Sequence, residues 1–280
     1  MSQNLLSVSK IFLASGLVMV LVGCGGNLFQ LTAKKDTPEA IYQDARDALN
    51  EQEYDVAIAK ILDLKAKDAA FYARCEKVDG IKICPREDLA GAYASKCGLN
   101  FVTFVSSLTS STGSPFLFFM QKFKNVAVSP SHCYEAQKVI ETFGATSGVR
   151  SSEQNLFMAV LGMAKIGTHL RDVADVNQDG TTDTTYNSCD ASSISTDYLR
   201  QVISGMGLVI DNVAAVSAVL SGESDALADL EQIKQDCGSA CAITDPNSSS
   251  FNEAVTRVLL RSSDKGIETS SGCTFPTCCL

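Results

Sequence analysis

Histidine is nearly missing from this chain: His132 and His169 are the only two in 280 residues. Chemistry that needs an imidazole base or ligand therefore has little to draw on, and both residues are expected to cap or pack. No nucleophile elbow, H-E-x-x-H, P-loop or dinucleotide fingerprint occurs. Paired acids such as Asp44 with Asp47, or Asp225 with Asp229, are expected on solvated helix faces. Basic clusters are missing too, with 23 Lys and Arg against 32 Asp and Glu and a formal charge of -9. That balance gives no electrostatic footprint for nucleic acid or anionic lipid. No stretch shows the period-two alternation of a half-buried strand, and no C-x-x-C pair marks a thiol oxidoreductase. An all-α, non-enzymatic chain is the expectation.

What is present begins at the amino terminus. One charge, Lys10, precedes the apolar run "IFLASGLVMVLVG", the pattern of a secretory signal peptide, and the run is short for a spanning helix. It ends at Leu21-Val22-Gly23-Cys24, which resembles the lipobox of bacterial lipoproteins. The resemblance implies cleavage before Cys24, acyl chains on that cysteine and a membrane anchor without a span. Gly25, standing where an aspartate would hold the protein at the inner membrane, implies the outer membrane. Residues 1–23 are then the signal peptide and 24–35 a polar tether. Losing the signal removes one lysine, so the charge becomes about -10.

Ten further cysteines follow: Cys75, Cys84, Cys97, Cys133, Cys189, Cys237, Cys241, Cys273, Cys278 and Cys279. An even count in an exported chain is the composition of a disulfide framework. A metal site from Cys237, Cys241 and the terminal "CTFPTCC" competes with it, though both histidines lie far away in sequence. Counting does not give connectivity. Nearness suggests Cys75 with Cys84, Cys97 with Cys133 and Cys237 with Cys241, which leaves Cys189 to join the tail.

"DTPEAIYQDARDALNEQEYDVAIAKILDLKAKD" opens as a helix, with Thr37 as N-cap, Pro38 at the first helical position and Glu39 beside the positive end. Apolar residues recur at helical spacing on both sides of "NEQEYD", predicting two antiparallel helices. With Ala45 opposite Ala57 and Tyr54 at the turn, the pair resembles one tetratricopeptide repeat, although Gln52 stands where a glycine is usual and no proline follows. The resemblance implies further stacked helical hairpins. "PREDLAGAYASKCGLNFVTFVSSL" is expected to form one helix with Leu89, Tyr93, Cys97, Phe101 and Phe104 on a face. Phe116, Phe118 and Phe119 are expected in the core, with an exposed aromatic patch as the alternative. Val202 to Leu220, apolar nearly all round, is expected to be a central buried helix carrying Asp211 and Asn212 in its middle. The TPR-like part is placed at 36–144 and a second helical part, with a disulfide-rich tail, at 145–280. "GATSGVRSS" marks their boundary, or only a loop within one domain.

"DVNQDGTTD" places Asp175, Asn177, Asp179 and Asp183 at loop positions 1, 3, 5 and 9, Gly180 at 6 and the Thr181 carbonyl at 7. With a helix entering and another leaving, the loop resembles those of EF-hand and dockerin modules, which implies a structural calcium ion. Tyr186 replaces the bidentate glutamate of position 12, and Asp190 reaches only from a longer loop. The combined resemblances imply a protein-binding scaffold or accessory subunit of an envelope complex. The alternatives are a module binding a hydrophobic or lipid-like ligand among Phe116 to Met120, Leu156 to Met163 and Val202 to Leu220, or a self-associating oligomer inserted in the membrane.

Overall fold

The computed structural model describes residues 36–109, 114–214, 225–269 and 271–279. Cys24, the signal segment and the tether lie outside them, as does the expected helix beyond residue 214. The described residues form eleven α-helices and one short β-hairpin.

α1 (Pro38–Asn50) starts where the local chemistry puts it: Thr37 Oγ1 accepts from the Ala40 amide at 3.2 Å, and Pro38 occupies the first turn. α2 (Tyr54–Lys67) returns against it, with Ala45 and Ala57 fully buried. Between the helices Gln52 has φ +62°, a left-handed conformation that suits glycine better than a side chain. Because Gln52 is exposed, Gln52→Gly is expected to stabilise the fold by up to about 1 kcal/mol. Urea unfolding checks this, and a loss of stability would show that the turn carries no strain.

After the short α3 (Ala69–Ala73) comes the element that departs from an all-helical reading. β1 (Glu76–Val78) and β2 (Ile81–Ile83) pair antiparallel around Asp79-Gly80, at φ +51° and +82°, inside the Cys75–Cys84 bridge. Both residues of a two-residue primed turn need positive φ, which Asp-Gly supplies.

α4 (Pro85–Cys97) corrects the single long helix expected from Pro85 to Leu108. Gly98 stops it at φ +114°, where a Cβ would lie 3.0 Å from Val128 Cγ1 and 3.3 Å from the Ala127 carbonyl oxygen. Asn100 then caps α5 (Phe101–Ser106) through the Thr103 amide. α6 (Pro115–Gln121) puts Phe116, Phe118 and Phe119 in the core, at 0, 3 and 1% exposure, so they form no exposed patch. α7 (Ser131–Glu141) packs on α4, to which Cys97–Cys133 fixes it.

α8 (Ser152–Ala174) begins in a capping box between Ser151 and Gln154 and is buried almost all round from Met158 to Arg171. α9 (Thr196–Asp211) crosses it where a Cβ on Gly162 would stand 2.6 Å from the Gly205 carbonyl oxygen. Asp211 and Asn212 end α9 rather than sit in its middle. Asn212 turns its Nδ2 back to the Leu208 carbonyl at 2.7 Å, as a short polar side chain does at a helix end. α10 (Asp225–Cys237) and α11 (Glu253–Arg261) complete the stack. No helix among the described residues is long and apolar enough to cross a membrane.

One cluster of buried side chains runs from Ala45 through α4, α6, α8 and α9 to Ile267, drawing on both sides of the "GATSGVRSS" segment. Arg150 ties that segment down: it donates to the Gly144 carbonyl at 3.0 Å, to Asn155 Oδ1 at 3.1 Å and to Asn212 Oδ1 at 3.0 Å. The cysteines pair as Cys75–Cys84, Cys97–Cys133, Cys189–Cys279, Cys237–Cys241 and Cys273–Cys278. All ten sulfurs are thus used, Cys189 joins the tail, and no thiolate remains for a site built on Cys237 and Cys241.

Candidate functional site

The acidic loop leaves α8 at Asp175, which is fully buried. Its Oδ1 accepts from the Asp179 amide at 2.9 Å and its Oδ2 from the Gly180 amide at 3.0 Å. Asn177 Oδ1 accepts from the Asp179 amide at 2.9 Å, and Asp179 Oδ1 from the amide and hydroxyl of Thr181 at 2.8 and 2.5 Å. Asp183 closes the ring, its amide donating to the Ala174 carbonyl at 2.7 Å and its Oδ2 accepting from Val176 at 2.9 Å. Two left-handed residues, Gln178 at φ +63° and Gly180 at φ +82°, make the turn. The sequence thus folds as short acceptor side chains wrapped around their own backbone donors.

Burial pushes the Asp175 carboxyl up, amide bonds from Gly180 and Asp179 offset part of that, and the nearby Asp179 and Asp183 charges add to it. Hydrogen bonds from Thr181 hold Asp179 down. A cation among these groups would relieve the repulsion between them, and the donor set is of the hard-oxygen kind that calcium takes. The carboxylates are not drawn together: among the described residues, the one trio of Cys, His or acid ligand atoms within 4.8 Å is Cys75, Cys84 and Glu87. Both of its sulfurs belong to a disulfide and cannot serve as thiolates. Position 12 offers no carboxylate, since Tyr186 stands there, and its side chain is buried in the core. Asp190 is engaged elsewhere, its Oδ1 accepting from the Ser192 amide at 2.8 Å.

The histidines sit in packing environments. His132 shares a 2.8 Å hydrogen bond through Nδ1 with Ser129 and stacks on Tyr93. His169, buried in α8, has Nδ1 2.7 Å from the Lys165 carbonyl and meets Tyr198 edge-on. Burial takes its pKa down to about 3.

Two features were not singled out in the sequence. Lys165 is fully buried, with Nζ 2.7 Å from both Gln137 Oε1 and Ser204 Oγ. Its sequence signal was a lone lysine in "LFMAVLGMAKIG" with no acid three or four residues away. The second is a cleft of about 410 Å³ bounded by α5, α7 and α8. Phe101 and Phe157 stack at its floor, 6.1 Å apart and 7° from parallel, beside Ile140 and Leu156. Lys82 spans the rim, 2.7 Å from both Glu87 Oε2 and Glu153 Oε2. Phe101 and Phe157 are too far apart in sequence for any local pattern to join them.

Comparison of the chain with protein-family models, with curated proteins and with solved structures finds no match.

Proposed function

We propose that this chain is a lipid-anchored lipoprotein of the bacterial outer membrane that binds another envelope protein, as a non-enzymatic scaffold or accessory subunit, with calcium as a structural ion. The observation that carries the binding role is the cleft on Phe101 and Phe157. An apolar floor within a charged rim is the anatomy of an interface anchor site. Two carboxylates and one ammonium leave that rim with a net negative charge, so the segment it suits presents an apolar side chain beside a basic one. The address rests on the lipobox resemblance at Cys24 and on the ten paired cysteines, which suit an oxidising compartment.

The test is cross-linked capture from the protein's own cells, comparing the parent, Cys24→Ser and the double variant Phe101→Ala with Phe157→Ala. A stoichiometric envelope protein held by the anchored parent and lost by the double variant supports the reading. Equal capture by the double variant sinks the cleft as the contact. The same cleft could take an acyl chain, and lipid that co-purifies with unacylated parent but not with the double variant moves the assignment to a lipid-like ligand.

In this reading Asp175, Asn177, Asp179, Asp183 and the Thr181 carbonyl hold the calcium. Asp175→Ala with Asp179→Ala also removes three amide caps, so the informative quantity is the difference between calcium and chelator. The parent should gain about 1.4–2.7 kcal/mol at 10–100 times Kd, and the double variant should gain nothing. Equal melting of the parent in both conditions overturns the structural ion.

A further inference from the structure

The cleft on Phe101 and Phe157 is open to an occupant. Phe101, Leu156 and Phe157 are each partly exposed on its floor, while Ile140 beside them is buried. One stretch of this chain carries the chemistry that the cleft suits. Residues 24–35, the expected tether, hold Leu28, Phe29 and Leu31 within four positions, followed by Lys34 and Lys35. A spacer works through small solvated residues and gains nothing from large apolar ones. Stacked phenylalanines take just such side chains, because aromatic and apolar anchors supply most of the energy at a contact of this kind. Lys34 and Lys35 suit a rim on which Glu87 and Glu153 share the ammonium of Lys82. Glu153 is the more accessible of the two acids, with its side chain 79% exposed.

The fold also brings this stretch to the right place. The described chain starts at Asp36 and α1 at Pro38. Early in α1, Ile41 and Tyr42 belong to the cluster on which Ile83 of β2 packs. The Tyr42 hydroxyl donates to Asp88 Oδ2 at 2.5 Å and accepts from the Cys84 amide at 3.2 Å. Ile83 and Asp88 are the sequence neighbours of Lys82 and Glu87, so the start of α1 is joined to the rim itself. Asp36 lies about 9 Å along the chain axis from Tyr42. Phe29 stands seven residues before Asp36, about 23 Å of extended chain, which spans the distance back across the hairpin to the floor. A short flexible link gives an effective concentration on the order of 1 mM, so a contact too weak to join separate molecules still fills the cleft within one.

We infer that the cleft is the docking site of the chain's own segment 27–35, with Phe29 on the floor formed by Phe101 and Phe157, and that a partner protein must displace this segment to bind. The inference rests on the proposals that the cleft is the partner site and that the mature chain begins at Cys24. Docking leaves residues 24–28, about 16 Å of chain, between the cleft and the bilayer. The folded body is therefore held close to the membrane until a partner releases it.

Photo-cross-linking tests the contact. The folded chain from residue 24 onward, with Cys24→Ser to keep it unacylated, carries benzoylphenylalanine in place of Phe29, and mass spectrometry identifies the linked peptides. Linkage within one chain to the peptides holding Phe101, or Leu156 and Phe157, is the expected result. Linkage scattered over the surface, linkage only between chains, or none at all overturns the inference. A second measurement uses a fluorescent peptide of residues 27–35. Phe29→Ser should bind it about tenfold more tightly than the parent, whose own segment competes, and adding Phe101→Ala with Phe157→Ala should remove that binding. Equal affinity of the parent and Phe29→Ser overturns the inference as well. The two failures are distinguishable: an envelope protein captured through the cleft without the cross-link sinks the docked segment alone, and the cross-link without capture sinks the partner role alone.

Discussion

Lys165→Met is expected to make the protein more stable at neutral pH and to flatten its stability profile between about pH 7 and 9. Lys165 is fully buried where α7, α8 and α9 meet, and its nearest oxygens, Gln137 Oε1 and Ser204 Oγ, are uncharged. Tyr134 faces the ammonium at 4.9 Å, and the Glu141 and Asp245 carboxylates act on it from farther away. Burial dominates these attractions and brings the pKa from an ordinary 10.5 down to about 7. The unfolded chain therefore holds this proton between about pH 7 and 10.5 while the folded chain has released it. Stability then rises with pH across that window, by about 1.4 kcal/mol per unit for one proton. Above pH 10 the trend reverses, because burial keeps the phenols of Tyr42, Tyr186 and Tyr198 protonated in the fold. At pH 7 the buried base costs on the order of 5 kcal/mol. Methionine removes that cost but leaves Gln137 Oε1 without its donor, a loss of about 1–3 kcal/mol. The net expectation is a gain of a few kcal/mol, measured by urea unfolding at pH 7 and pH 9. A destabilised variant with the parent's slope would show that the lysine is bound as a favourable cation. His169 extends the same trend downward: with its pKa lowered to about 3, stability falls as pH drops from 6.5 towards 3.

Lys165 also marks where local reading of the sequence fails. A lone lysine in an apolar helix ordinarily bends its stem so that the ammonium reaches water, and only the packing of α7 and α9 on both sides shows that this one does not. Gly98 fails for the opposite reason. Leu89, Tyr93, Phe101 and Phe104 stay in helical phase across it, so periodicity carried the expected helix through a residue whose φ ends it. The hairpin at Asp79-Gly80 had a legible turn, but three-residue strands with Val78 and Ile81 exposed leave no alternation to detect. Where the chemistry is contained within four residues, as in Thr37-Pro38-Glu39 or the Ser151 capping box, sequence and structure coincide. The acidic loop is local in another sense: its side chains bond the loop's own backbone, and its reading as a calcium site stays a proposal. The cleft is a product of stacking and has no local signature.

Removing the Cys189–Cys279 bridge, by Cys189→Ala with Cys279→Ala, should cost more than removing any other. These cysteines are 90 residues apart, against 9 for Cys75–Cys84 and 36 for Cys97–Cys133. The loop-entropy relation then gives about 4–5 kcal/mol for the long bridge and about 2–3 kcal/mol for Cys75–Cys84. Domains of this kind have roughly 5–15 kcal/mol in all, so the first loss threatens the fold and the second does not. Without the bridge the tail depends on Thr182 with the Ile267 carbonyl and on Glu268 with Ser188 and Arg261, while Cys273–Cys278 closes only a small loop within it. Urea unfolding of the two double variants at one pH gives the comparison. The same reasoning predicts soluble protein from an oxidising compartment and a largely unfolded product from a reducing one. Equal losses for the long and the short bridge would mean that the tail's hydrogen bonds already confine the unfolded chain's options. Full stability without Cys189–Cys279 would mean that the packing of α11 and of the buried Glu268 that follows it holds the tail unaided.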